Sequence, residues 1–257
     1  MSVDERMVHD IVQKVMANMQ ISGSVSGMHG VFKDMNDAIN ASIEAQKKVC
    51  TMTLDQREQI ISLIRKKTHE NAEILANMGV NETGMGNVGD KILKHHLTAD
   101  KVPGTEDIST IAWSGDRGLT LVEMGPFGVI GAITPATNPS ETVICNCIGM
   151  LAGGNTVVFN PHPNAKKTTI YTINMINEAS IEAGGPDNIA VTVEAPTLDT
   201  SAIMMKHPSI HLLVATGGPG VVTAVLSSGK RAIGAGAGNP PCLLYTSPSP
   251  RDLSTSR

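Results

Sequence analysis

The chain lacks several things that would have announced a function. It has no cluster of lysine and arginine, and its 20 basic residues are outnumbered by 24 acidic ones, for a formal net charge of -4. A nucleic-acid partner is therefore not expected, because phosphate binding needs a basic face. No apolar run reaches the roughly 18 residues that a membrane span requires. The first ten residues, MSVDERMVHD, are acidic and polar where a signal peptide is basic and then apolar. The expected compartment is a reducing cytoplasm. Only four cysteines occur, Cys50, Cys145, Cys147 and Cys242, without the spacing of a disulfide framework. Cys145 and Cys147 are two apart; on a helix they would point to different faces, and they read as small buried hydrophobes. No metal site is expected. His95 and His96 are adjacent, so one helix cannot aim both at one ion, and Pro208 interrupts the spacing of His207 and His211.

What is present is a soluble, globular composition: 257 residues, 41% hydrophobic and 17% charged. The chain opens with an amphipathic helical pattern over residues 1–20, in which Met7, Ile11, Val15 and Met19 share one stripe. A Gly/Ser-rich linker, residues 21–30, follows. Phe32, Met35, Ile39 and Ile43 form a second helical stripe. Thr53 starts a further helix with Gln56 as capping-box partner, and Ile60, Ile61, Leu63, Ile64, Ile74 and Leu75 supply its buried face. MGVNETGMGNVGD reads as a glycine-rich break, and DKILKHHLTADKV as another helix.

From Leu119 the texture changes. The strand candidates LTLVEM, GVIGAIT, NTVVFN, NIAVTV, IHLLVAT and KRAIGA alternate with helical stretches. That alternation predicts an α/β fold, a Rossmann-like parallel sheet with helices on both faces behind an N-terminal helical region. Ligands in such sheets bind at the carboxyl ends of the strands. After Pro241, CLLYTSPSPRDLSTSR has no periodicity and reads as a foreign or disordered tail over residues 242–257.

Four segments have the composition of a site. In GPFGVIGAITPATNPSET, Thr134, Thr137, Asn138 and Ser140 cluster where a strand ends in a proline-bracketed turn. An amide held there donates a hydrogen bond to a developing oxyanion, or it merely caps the next helix; spacing alone favours the cap. In NTVVFNPHPNAKK, Asn160 and His162 stand where a ribose or adenine would lie, or in an ordinary strand-to-helix connection. VATGGPGVV places glycines ahead of a helix N-terminus, which suits a phosphate or simply a tight turn. GKRAIGAGAGNPP has four glycines and no acidic residue, so it offers close approach and no general base.

Together, in this order and spacing, these segments resemble the aldehyde dehydrogenase superfamily. The likeness is to the CoA-acylating enzymes of propanediol- and ethanolamine-utilisation microcompartments, and it covers residues 3–241. The resemblance implies a short aldehyde as substrate, NAD as cofactor and coenzyme A as co-substrate, with a thioester formed on a cysteine. It implies Asn138 as oxyanion donor, with Thr137 as the alternative. Cofactor contacts would come from Thr134 and Pro135, from Asn160, Pro161, His162 and Pro163 at the adenosine, from Thr216, Gly217, Gly218 and Pro219 at the pyrophosphate or nicotinamide side, and from Gly236 and Gly238. Hydrolytic members carry a lysine where Asn160 stands and a glutamate near Ala235; the absence of that glutamate fits acyl transfer to CoA thiol in place of water. The initial helix resembles a microcompartment-targeting segment, with Met7, Ile11, Val15 and Met19 facing a shell protein and the lumen as destination. The intact parent is expected to be a homo-oligomer. By the same resemblance residues 31–241 form the N-terminal, nucleotide-binding part of the enzyme, and the nucleophilic cysteine lies beyond it. Cys242 comes too early for that role, and Cys50, Cys145 and Cys147 lie too far upstream. A non-catalytic nucleotide-binding or shell-docking module, and a hydrolytic dehydrogenase, are the competing readings.

Overall fold

The computed structural model describes residues 27–236. The stripe of Met7, Ile11, Val15 and Met19, the position of Gly238 and the tail from residue 242 lie outside the described residues.

A six-stranded parallel sheet forms the centre. Its strands are β1 (Val31–Phe32), β4 (Val129–Thr134), β5 (Thr156–Pro161), β6 (Ala190–Val193), β7 (Ile210–Thr216) and β8 (Arg231–Ala235), in the spatial order β1-β6-β5-β4-β7-β8. The chain leaves β4 toward β5 and β6, then returns past β4 to add β7 and β8 on its other side. The order therefore reverses at β4, where the crevice of a doubly wound sheet opens. β4, β5 and β6 are buried on both faces and consist mainly of Val, Ile, Ala and Thr, as a covered parallel sheet demands.

One face is covered by α2 (Leu54–Thr83), α3 (Val88–Lys101), α4 (Pro139–Ala152) and α5 (Lys166–Glu182), and the other by α1 (Met35–Val49), α6 (Leu198–Lys206) and α7 (Pro219–Leu226). Ile60, Ile64, Ile144, Ile148, Phe159 and Ile173 pack in the first layer, and Met35, Ile39, Val158, Val191 and Leu213 in the second. The Thr53–Gln56 capping box forms in both directions, Thr53 N to Gln56 Oε1 at 2.9 Å and Gln56 N to Thr53 Oγ1 at 3.2 Å. Two side chains tie helices to neighbours through long-range bonds. Arg65 donates to the Ala99 and Val102 carbonyls at the end of α3, and Glu82 accepts from the backbone of Lys167 and Thr168 at the start of α5.

Three local expectations change. Phe32 is not on a helix; it pairs in β1 with Val193 of β6, and the helical stripe begins at Met35 behind an Asp34 N-cap. The break within MGVNETGMGNVGD starts later than Met78, because α2 continues through Gly79 to Thr83 and stops at Gly84, whose φ of 68° favours glycine, and α3 starts at Val88. Finally, LTLVEM does not enter the parallel sheet. Residues Gly118–Val122 form β3, which pairs antiparallel with β2 (Ile111–Gly115) in a separate ribbon whose ten positions are all exposed.

Candidate functional site

The principal cavity, about 620 Å³, lies at the carboxyl ends of β4, β5, β7 and β8. That size lies within the roughly 300–1,000 Å³ typical of small-molecule sites. Its floor is the turn Thr134–Asn138 between β4 and α4. One wall is Asn160–Pro163, and the other is Thr216–Gly218 with Gly236. Among the described residues the lining contains no lysine, arginine or carboxylate, and His162 is its one ionisable side chain. Whatever binds there is held by backbone groups, hydroxyls, amides and apolar surface.

Thr134 shows how the fold prepares this site. It is 2% exposed, and its Oγ1 has no hydrogen-bond partner among the described residues. An unpaired buried hydroxyl is costly unless a ligand satisfies it. Asn160 is different. Its amide donates to Ser201 Oγ (2.6 Å) and to the Thr197 carbonyl (3.3 Å), and its oxygen accepts from Thr200 Oγ1 (2.7 Å). The neutral side chain fastens α6 to the sheet. His162 closes the turn by donating its backbone N–H to the Thr134 carbonyl (3.1 Å) and accepting at Nδ1 from Asn164 N. At the far wall, α7 starts at Pro219 after Gly218, so its first backbone N–H groups face the opening without a side-chain cap.

Asn138 stands at the N-cap position of α4, yet its side chain makes no cap bond. Its Oδ1 instead accepts from Lys94 Nζ of α3 at 3.3 Å. The capping role that spacing favoured is thus not the one adopted. Beneath the turn lies a buried polar group from two helices. Lys91 Nζ donates to the Thr137 carbonyl (3.0 Å) and to Glu141 Oε1 (3.2 Å), and His95 Nε2 lies 2.7 Å from Ser140 Oγ. Burial lowers the His95 pKa, with Glu141 opposing that shift.

A model of the aldehyde dehydrogenase family matches residues 17–239. The chain belongs to the aldehyde dehydrogenase family. Its sequence is 45% identical over 250 residues to an acetaldehyde dehydrogenase (acetylating) of Bilophila wadsworthia, covering 93% of this chain and 51% of that protein. It is 46% identical to the propanal dehydrogenase (CoA-propanoylating) of Salmonella typhimurium, over 84% of this chain and 46% of that one. Among solved structures, a propionaldehyde dehydrogenase from the Clostridium phytofermentans fucose utilisation bacterial microcompartment superposes with a TM-score of 0.81 at 74% identity, over 83% of this chain and 49% of that chain. The propionaldehyde dehydrogenase of Rhodopseudomonas palustris with bound propionyl-CoA gives a TM-score of 0.80 at 50% identity, over 82% and 47% of the two chains. This aldehyde dehydrogenase chain spans about half the length of the curated relatives it matches.

Of the residues singled out from the sequence, Thr134, Pro135, Thr137, Asn138, Asn160, Pro161, His162, Pro163, Thr216, Gly217, Gly218 and Gly236 all line the one cavity. Pro219 sits just behind it at the start of α7. The sequence reading missed Thr197, Leu198 and Ser201 of the α6 N-terminus, which complete the wall beside Asn160–Pro163, and it missed the α3 residues under the Asn138 turn. The described cysteines stand apart from the cavity. Cys147 is buried and Cys145 half-buried, and burial pushes both thiols up, away from the thiolate that a nucleophile needs. Among the described residues no group of three or more His, Cys, Asp or Glu could hold a metal ion, and no helix is long and apolar enough to cross a membrane.

Proposed function

We propose that this chain is the nucleotide-binding half of a CoA-acylating aldehyde dehydrogenase, which converts a short aldehyde, CoA and NAD to acyl-CoA and NADH. The observation that carries the reading is the cavity assembled from the four strand ends, with Thr134 Oγ1 without a hydrogen-bond partner among the described residues at its floor. Thr134, Pro135, Pro161, His162 and Pro163 would hold the adenosine side of the dinucleotide. Thr216, Gly217, Gly218 and the N-terminus of α7 would receive the pyrophosphate, and the glycines beyond β8, Gly236 and Gly238, would lie against the bound group. When bound, NAD supplies the hydride acceptor. Asn138 presents an amide to the oxygen of the aldehyde as negative charge develops on it, a contribution of about 3 kcal/mol to the barrier; Thr137 is the alternative donor. The attacking thiolate comes from the half of the relatives that this chain does not span. A wall without lysine or arginine among the described residues supports NAD over NADP, since a 2′-phosphate is commonly met by such a side chain. The absence of a carboxylate from the same wall supports transfer to CoA thiol over hydrolysis.

Calorimetric titration of the purified chain with NAD and with CoA tests the reading. Saturable binding of each, mutually competitive and abolished by Gly218→Trp, is expected. Absence of binding, or binding untouched by the substitution, would overturn it. The chain alone is expected to form no NADH from propanal and CoA; NADH formation would refute the half-enzyme reading.

Two partners belong to the same proposal. The exposed apolar ribbon, with Ile111, Trp113, Leu119 and Leu121 between 47% and 64% exposed, supports a homo-oligomer of the parent in which a second copy covers it. The names of the relatives support a microcompartment lumen, with residues 1–20 docking on a shell protein through Met7, Ile11, Val15 and Met19. A reporter fused to residues 1–20 should concentrate in shells; diffuse fluorescence in cells that form shells would refute the targeting.

A further inference from the structure

The α3 helix contributes nothing to the cavity wall, yet three of its side chains converge on the turn that carries Asn138. Lys94 and His95 follow Lys91 by three and four residues, so both neighbour it on the helix surface. Lys91 is 3% exposed and reaches the Thr137 carbonyl and Glu141, the residue three beyond Asn138. His95 is fully buried. Its Nδ1 faces the Lys91 carbonyl at 2.7 Å, an acceptor only, so that nitrogen carries the proton. Its Nε2 is then free to accept from Ser140 Oγ at 2.7 Å, while the same hydroxyl also lies 3.2 Å from Glu141 Oε2. The residues on both sides of Asn138 are therefore held from below by α3.

Lys94 acts on Asn138 itself. An ammonium can only donate, so the Asn138 atom facing it must be the amide oxygen. The amide nitrogen is thereby turned away from Lys94, and it has no partner among the described residues. An asparagine amide free to flip would offer its oxygen to the cavity half the time, and an oxygen repels the charge that an oxyanion develops. The charge of Lys94 also polarises the amide, which strengthens the remaining N–H donors.

We propose that α3 is a positioning element for Asn138. In this arrangement Lys91 and His95 fix the turn, and Lys94 sets the amide so that its NH₂ group faces the cavity. The catalytic meaning of this arrangement rests on Asn138 being the oxyanion donor, but the arrangement itself is testable without turnover.

The test is heteronuclear NMR of the deuterated, ¹⁵N-labelled full chain, with the Asn138 side-chain NH₂ signal assigned by its loss in Asn138→Ala. In the unsubstituted chain that signal should show an order parameter near about 0.85, the range of rigid amides, and in Lys94→Met it should fall below about 0.6. The backbone amides of residues 136–141 should keep their shifts in Lys94→Met, and Lys94→Arg should restore the side-chain order. Lys91→Met combined with Glu141→Gln should move the backbone signals of the turn as well. An Asn138 amide equally ordered in Lys94→Met, or disordered equally by Lys94→Arg, would overturn the orienting role of Lys94. If the paired variant does not fold, the Lys94 substitutions decide alone, since that side chain is at the surface. Loss of NAD binding to the chain would remove the reading of the site while leaving the NMR result intact, so the two can fail separately.

Discussion

Replacing Lys91 by methionine should cost this chain a large part of its stability. The Lys91 and Glu141 side chains are 4% and 7% exposed and 3.2 Å apart. Removing one partner of a buried pair leaves the other charge desolvated, at a cost of about 3–5 kcal/mol. The Thr137 carbonyl loses its donor at the same time, adding about 1 kcal/mol. A loss of about 4–6 kcal/mol is a quarter or more of the roughly 5–15 kcal/mol that holds a typical domain together. For a domain of this size, at about 2–4 °C per kcal/mol, the midpoint should fall by about 8–24 °C. Lys91→Met with Glu141→Gln removes both charges and keeps a hydrogen-bonding group beside Ser140, so it should recover most of the loss. Urea unfolding followed by circular dichroism at pH 7.5 measures all three proteins, with slopes compared to confirm that the unfolded states match. A single variant within about 1 kcal/mol of the parent would refute the argument, as would a double variant less stable than the single one.

The His95 imidazole is held neutral by burial, so its folded pKa lies below the usual value and the unfolded chain takes up the proton first. Stability from this group is complete above about pH 6.5. It declines as pH falls from there toward the folded pKa, and His95→Gln should flatten that part of the stability profile; an unchanged slope would exclude His95 as its source. Glu82 accepts three bonds of 2.7 Å from Lys167 N, Thr168 N and Thr168 Oγ1 at the start of α5. Glu82→Ala should cost about 2–3 kcal/mol and Glu82→Gln about half of that, read by the same urea titration. In the ribbon, Trp113→Glu with Leu121→Arg should shift the full-length parent toward monomer in analytical ultracentrifugation while leaving NAD affinity of the chain unchanged. An unshifted sedimentation profile would exclude the ribbon from the oligomer interface.

Where the sequence was legible, the signal was local. The Thr53–Gln56 box is a three-residue spacing with one physical meaning, and it forms as read. The runs at Val129–Thr134 and Thr156–Pro161 are too apolar for an exposed strand, and both lie in the covered centre of the sheet. Phe32 was misread because its periodicity with Met35 is real, but pairing with Val193 outweighs it. β2 was not marked, since Ile-Ala-Trp-Ser-Gly has no buried face to give it a pattern. The four strand-end segments were visible as compositional oddities, and their convergence follows once they are strands of one parallel sheet. Lys91, Lys94 and His95 were read simply as part of another helix. Their partners are 44 to 50 residues away, and no spacing within α3 encodes that.

The strand order explains why the site can be built from neutral side chains. Because the sheet reverses direction at β4, the connections leaving β4 and β7 depart on opposite faces, α4 on one and α7 on the other. The crevice between them is bounded by two helix N-termini, Asn138–Pro139 and Gly218–Pro219. Each N-terminus carries a partial positive charge from unpaired backbone N–H groups, equivalent to roughly half an elementary charge. Two such termini at one cavity would supply the field that the anionic ligand and developing oxyanion of the proposed reaction require, without a lysine or arginine among the described residues of the wall. Side-chain cations are placed one layer back, Lys91 beneath the turn and Lys94 at its edge, where they orient the backbone and the amide and leave the cavity uncharged. A charged wall at the same place would attract anions of every kind. A neutral wall backed by fixed dipoles discriminates by geometry, and that is why the Asn138 turn is braced from α3 on both sides.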